Sequence, residues 1–266
     1  MARLSENRPV RLAVTTSLNA TPRVVAEAKG FSADSGCPYV PRKGRNIPEV
    51  LSEARMGGVI VVEKNGVVVR AGDAVCGFHP NTTGLRIVAL SKEKRDRMVS
   101  AMGLRPGDAV LDCTCGLGTD AVVASYVVGE GGTVHALEAS LLLALIVRRG
   151  LQTYVSQAAS ITRAMRRVRV IHATCEEVLA DLPARSWDVV YFDPLFDSTF
   201  EDATGLDIVR LLGRPGAPTG ETLQDGVRVA RRCVVMKDRA PGEALMRLGF
   251  RIVSRGKKTC YGVMEV

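Results

Sequence analysis

From Arg105 to the C-terminus the chain repeats one pattern: a short apolar run, a turn, a helical stretch, then another apolar run. The spacing predicts strand 109–113, helix 120–128, strand 133–137, helix 140–158, strand 168–172, a short helix 175–181, strand 187–192, helix 221–230, strand 232–237 and helix 242–248. Strands 250–255 and 260–265 follow, joined by Arg255-Gly256-Lys257-Lys258. Repeated βα units pair in parallel through right-handed crossovers and give an open three-layer α/β sandwich. The last two strands should form an antiparallel hairpin on the edge of a mostly parallel, seven-stranded sheet.

A smaller α/β domain, residues 1–82, is expected ahead of the domain spanning 83–266. Runs 10–16, 59–62 and 67–69 read as strands, and 22–33 and 47–56 as helices. Lys64-Asn65-Gly66 between two valine-rich runs is a hairpin signal. The turn-rich stretch Cys76-Gly77-Phe78-His79-Pro80-Asn81-Thr82-Thr83-Gly84 marks the boundary. Beyond it, 85–89 resembles a strand and 92–102 a basic helix ending at Gly103.

The 266 residues include no apolar run near the roughly 20 needed to span a bilayer. The N-terminal residues show no signal-peptide segment, so a cytoplasmic location is expected. Seven cysteines are scattered with no Cys-x-x-Cys pair, and three histidines lie far apart, which predicts reduced thiols and no metal site. Lys and Arg outnumber acids 36 to 28, a net charge of +8. That excess suits a polyanionic partner or a basic solvated surface. The clusters are Arg42/Lys43/Arg45, Lys92/Lys94/Arg95/Arg97, Arg163/Arg166/Arg167/Arg169 and Lys257/Lys258.

The chemistry gathers at strand ends. Ala109-Val110-Leu111-Asp112-Cys113-Thr114-Cys115-Gly116-Leu117-Gly118-Thr119-Asp120-Ala121 reads as strand, glycine loop and helix, a turn that lets backbone approach an adenosine-bearing ligand beside free helix amides. Gly116-x-Gly118-x-x-Ala121 also fits the relaxed dinucleotide fingerprint, so the loop alone does not separate a methyl donor from NAD. Glu138 ends the next strand, where a carboxylate can accept both ribose hydroxyls; it can also serve the helix start at Ser140. Thr174 and Cys175 follow the third strand, where Thr174 is equally a helix N-cap. The deciding motif is Asp193-Pro194-Leu195-Phe196. The Asp193 carboxylate and Pro194 carbonyl can each accept one N–H of a planar amine, and Phe196 can stack on its ring. A dehydrogenase needs no such tetrapeptide.

At Asp112 to Ala121, His135-Ala136-Leu137-Glu138, Ile171-His172-Ala173, Val189 to Phe196 and Val234-Val235-Met236-Lys237 the chain resembles the bacterial small-subunit rRNA guanine-N2 methyltransferase family, over residues 85–266. The resemblance implies a Rossmann-like class I S-adenosylmethionine (SAM) methyltransferase fold. It places Thr119, Asp120, Glu138, Ala139, Thr174, Cys175 and Asp193 around SAM, with Asp112, Gly116 and Gly118 contributed by the glycine loop. Thr119 stands where the rRNA enzyme has Arg and Asp197 where it has Pro, and residues 1–80 look like a less characterised branch.

The expectation is a SAM-dependent N-methyltransferase acting on RNA, at the exocyclic amine of a guanine in rRNA, with Asp193, Pro194 and Phe196 catalytic. A protein amide or small-molecule acceptor, or a non-catalytic RNA-binding module with this fold, are the alternatives. The small N-terminal domain is the expected determinant of substrate choice.

Overall fold

A computed structural model describes residues 11–72, 74–80, 82–194, 212–213 and 216–266, and the chain divides into two compact units between Phe78 and His79. The sequence reading put the division at 82/83.

The first unit contains β1 (Leu12–Thr16), α1 (Pro22–Ser35), α2 (Ile47–Ala54), β2 (Gly58–Glu63), β3 (Gly66–Ala71) and β4 (Ala74–Gly77). The four strands lie in the order β1-β2-β3-β4; β1 and β2 are parallel, the rest antiparallel. Thr21 caps α1, which buries Val24, Ala28 and Phe31. An Asn46/Glu49 capping box starts α2. The basic loop at 41–45 is braced internally: Arg42 Nε donates to the Arg45 carbonyl at 2.5 Å, and Arg45 pairs with Glu53.

The second unit runs α3 (Thr83–Ser91), α4 (Arg97–Met102), β5 (Ala109–Asp112), α5 (Thr119–Val128), β6 (Thr133–Glu138), α6 (Leu141–Thr153), α7 (Ala159–Arg167), β7 (Val168–His172), α8 (Cys175–Asp181), β8 (Trp187–Phe192), α9 (Gly220–Val229), β9 (Ala230–Arg239), α10 (Glu243–Arg247), β10 (Arg251–Arg255) and β11 (Thr259–Glu265). Its sheet has the order β10-β11-β9-β8-β5-β6-β7. Strands β5 to β9 are parallel, and β11 pairs antiparallel with both β9 and β10. This is the Rossmann-like arrangement with its closing hairpin. From β5 the chain winds outward through β6 and β7, then returns to the other side of β5 for β8 and β9. The reversal leaves a crevice at the carboxyl ends of β5 and β8, where open α/β sheets bind ligands.

Three local expectations fail. The basic helix expected over 92–102 begins only at Arg97, capped by Asp96, and residues 92–96 form a non-helical connector. Residues 85–89 are helical, inside α3: Thr83 and Ile87, four apart, are buried while Leu85 and Val88 face solvent. A short apolar run does not reveal its own period, and here the buried positions set it at one helical turn. The single helix expected over 140–158 ends at Thr153, and a separate helix, α7, fills 159–167. Ile161, Ala164 and Met165 are the buried i, i+3, i+4 stripe that marks it. Its arginines do not all face solvent for RNA. Arg166 donates to the Leu151 and Tyr154 carbonyls at the end of α6, and Arg167 to the Ser125 carbonyl at 2.9 Å. They satisfy carbonyls rather than phosphates.

Among the described residues no helix is long and apolar enough to cross a membrane, and no group of three or more His, Cys, Asp or Glu side chains could hold a metal ion.

Candidate active site

The glycine loop is hung between two strands. The Cys113 amide donates to the Tyr191 carbonyl on β8 and the Cys115 amide to the Leu137 carbonyl on β6, each at 2.8 Å. Asp112 turns the chain by accepting from the Thr114 amide at 3.0 Å, and Thr114 Oγ1 accepts the Asp193 amide at 2.6 Å. The tips of β5 and β8 are thus tied side by side.

At this edge opens a cavity of about 1010 Å³, lined by Gly116, Thr119, Asp120, Glu138, Ala139, Thr174, Cys175, Asp193 and Pro194 among the residues predicted from sequence. Asp112 and Gly118 do not line it, and Phe196 lies outside the described residues. Gly118 has φ +73°, and a Cβ there would meet Val147 Cγ1 of α6 at 3.3 Å, so it serves the turn and the packing behind it. Gly116, at φ +50°, has only the Thr114 carbonyl oxygen within 4 Å of where a Cβ would stand, and fronts open space.

Glu138 is 7% exposed, with Oε2 accepting the Gly116 amide at 3.0 Å and Oε1 the Ser140 amide at 2.9 Å. Burial pushes its carboxyl up and the two amides pull it partly back. The carboxylate is fixed in place, and each oxygen keeps a lone pair for a ligand hydroxyl. Thr174 caps α8 in a capping box with Glu177, and burial pushes the neighbouring Cys175 thiol up to about 12, so it is no nucleophile. Asp112 is 1% exposed; burial, aided by the charges of Asp120 and Asp193, pushes it up to about 8, and its Oδ2 is buried with no partner.

Sequence reasoning missed two cations on the cavity wall, Arg86 and Lys237. Arg86, on α3, grips Asp96 through Nε at 2.7 Å and Nη2 at 3.0 Å, and reaches Asp120 with Nη1. Lys237 Nζ, on β9, stands 2.6 Å from Asp193 Oδ2 and 3.7 Å from Asp120 Oδ2. Tyr191 OH donates to Asp120 Oδ2 at 2.8 Å. Charges therefore alternate along Asp96, Arg86, Asp120, Lys237 and Asp193. Burial alone would raise Asp120, yet Lys237 and Arg86 hold it down at about 2. Burial raises Asp193, and Lys237 only partly offsets that. Lys237 itself is kept protonated by Asp120 and Asp193 against the cost of its burial. A lysine directly ending the apolar run Cys233–Met236 was the available signal, because a buried ammonium demands a partner. Arg86 left none, being 34 residues from Asp120 in sequence.

The residues fit SAM: a fixed acid at the tip of β6, a glycine facing open space, and an acid-lined cavity of adequate size for a cationic nucleoside.

Residues 68–264 match the family model described as "Putative SAM-dependent methyltransferase". The uncharacterized protein YpiP of Bacillus subtilis is 34% identical over 255 residues, 95% of this chain and 98% of that one. Ribosomal RNA small subunit methyltransferase J of Halorhodospira halophila is 35% identical over 123 residues, 45% of each chain. Among solved structures, a SAM-dependent methyltransferase from Neisseria gonorrhoeae superposes with a TM-score of 0.60 over 95% of both chains at 19% identity, a likeness of fold. Taken with the glycine loop and the cavity at the sheet's switch point, these matches place the chain in the SAM-dependent methyltransferase family.

Proposed function

We propose that this methyltransferase transfers the methyl group to the exocyclic amine of a guanine in ribosomal RNA. The observation that carries the reading is Asp193-Pro194 at the tip of β8, bound to the glycine loop through Thr114 and opening into the same cavity. The partial likeness to ribosomal RNA small subunit methyltransferase J supports RNA as the substrate class.

When bound, SAM supplies an electrophilic methyl on a sulfonium; Gly116 and Glu138, with Thr119, Ala139, Thr174 and Cys175 along the wall, would hold it. The protein's own contribution is orientation. Lys237 anchors Oδ2 of Asp193, while Oδ1 has no partner among the described residues. Oδ1 and the Pro194 carbonyl can therefore each accept one N–H of a planar amine, which aims the nitrogen lone pair across the cavity. The nitrogen gains the methyl and sheds one proton, which Oδ1 is placed to take. A carboxylate raised by burial is the better base for that step.

The test is labelled SAM with unmodified small-subunit rRNA, total protein and nucleoside acceptors in parallel, followed by mass spectrometry of digested nucleosides. Label in N2-methylguanosine, abolished by Asp193→Ala with S-adenosylhomocysteine affinity kept within about tenfold, is expected. Label in protein alone, or full turnover by Asp193→Ala, overturns the reading.

A further inference from the structure

Two basic clusters distant in sequence come together beside the cavity. The connector from α3 to α4 carries Lys92, Lys94 and Arg95, α4 begins at Arg97, and the β10–β11 turn carries Lys257 and Lys258; all six are exposed. A side chain on Gly256 would collide with the Arg97 guanidinium, so the start of α4 lies directly against that turn. The turn stands at the carboxyl end of β9: Thr259 pairs with Arg239, and the Lys258 carbonyl accepts the Ala240 amide at 3.1 Å. Arg239 is two residues beyond Lys237, a step of about 7 Å along a strand. The connector is held in place by the two-pronged grip of Arg86 on Asp96. These cations therefore rim the edge where Asp193 and Lys237 face the cavity.

We infer that this rim is the docking surface for the phosphate backbone of the substrate RNA. The inference rests on the proposed RNA reading and deepens it by saying where the chain is gripped. The rim's chemistry favours a nucleic acid over other anionic partners. Of the acids on the connector, Asp96 is committed to Arg86, leaving Glu93 against six cations. Residues 91–97 and 255–258 contain no apolar or aromatic side chain; the solvent-facing Leu85 and Val88 stand further back on α3, outside both clusters. A membrane-surface site needs an apolar face to insert, and a protein interface needs an aromatic or aliphatic anchor. Phosphate contacts need neither, and they fix register while leaving base choice to the cavity. The other exposed pair, Arg163 and Arg169, belongs to α7 and the amino end of β7, away from the carboxyl edge, and should not take part.

The experiment measures affinity for an unmodified small-subunit rRNA transcript across a salt series, using the full-length protein. It compares Lys92→Gln/Lys94→Gln/Lys257→Gln/Lys258→Gln with Arg163→Gln/Arg169→Gln. The quadruple variant is expected to bind at least tenfold more weakly near 0.1 M salt, with the slope of log affinity against log salt shallower by about 0.7–0.9 for each phosphate that is no longer neutralised. S-adenosylhomocysteine affinity and thermal midpoint should hold, and the double variant should stay within about twofold of the parent. Polyglutamate should compete poorly. Unchanged slope in the quadruple variant, an equal loss in the double variant, equal competition by polyglutamate, or no binding by the parent would overturn the docking surface. The two readings fail separately. A parent that methylates guanine while the quadruple variant binds normally refutes the rim alone. A slope change with label only in protein refutes the acceptor alone.

Discussion

Asp112→Asn should make the protein's stability less sensitive to alkali. In the native chain the Asp112 carboxyl sits at about 8, raised chiefly by burial, against 3.8 when free. Between those values the folded protein holds a proton that the unfolded chain has released. The contribution of this one carboxyl to stability is therefore greatest below about pH 4, falls as pH rises through the window, and levels off above about 8. Each unit is worth about 1.4 kcal/mol, so three units from pH 5 to pH 8 amount to about 4 kcal/mol. Asparagine keeps an Oδ1 for the Thr114 amide and cannot ionise. Its second group still lacks a partner, a cost that does not vary with pH. The unfolding free energy of Asp112→Asn minus that of the parent should thus climb by about 4 kcal/mol between pH 5 and pH 8. Urea titration followed by Trp187 fluorescence measures it; Trp187 is the chain's single tryptophan, 9% exposed, and part of the seven-stranded sheet's core. A difference that stays flat within about 0.5 kcal/mol across that range would show that Asp112 is ionised in the folded protein, and the account of the loop's interior would fail.

Lys237→Met removes the cation beside Asp193, so the acid limb of the pH–rate profile for methyl transfer should move upward. A charge pair about 4 Å apart is worth about 1 kcal/mol in water and about 4 at an effective dielectric of 20, a shift of about one to three units, and Lys237→Arg should restore most of it. A loss of rate uniform in pH, with the limb unmoved, would mean that Lys237 does not act through Asp193. Gly118→Ala should destabilise the second unit by about 1–2 kcal/mol, because the residue has φ +73° and its Cβ would press on Val147. An unchanged urea midpoint would contradict that packing.

The parallel strands were legible because each is an apolar run of strand length between turn formers, and strands 168–172 and 187–192 and helix 175–181 match their expected bounds. The positions of Glu138 and Asp193 at strand ends were legible from the apolar runs that precede them, and both line the cavity. Helix α3 was not, since the exposure of Leu85 and Val88 is decided by what packs against Thr83 and Ile87. The electrostatics of the site were less legible still. Asp120 was read as a ligand contact, yet its oxygens are engaged by Arg86, Tyr191 and Lys237, brought from three separate elements. Arg166 and Arg167 look in sequence like any basic surface pair, and only the nearby ends of α5 and α6 reveal what they bind.

Arg86 also changes what counts as the minimal enzyme. A chain begun at Arg105 would keep every strand of the seven-stranded sheet, the glycine loop and both strand tips. It would lose the guanidinium that neutralises Asp120, and Asp120 would then compete with Asp193 for a single ammonium. The helical pair ahead of the sandwich is in that sense a detached part of the reaction chamber's wiring, and trimming it as a linker would unbalance the chamber while leaving its walls standing.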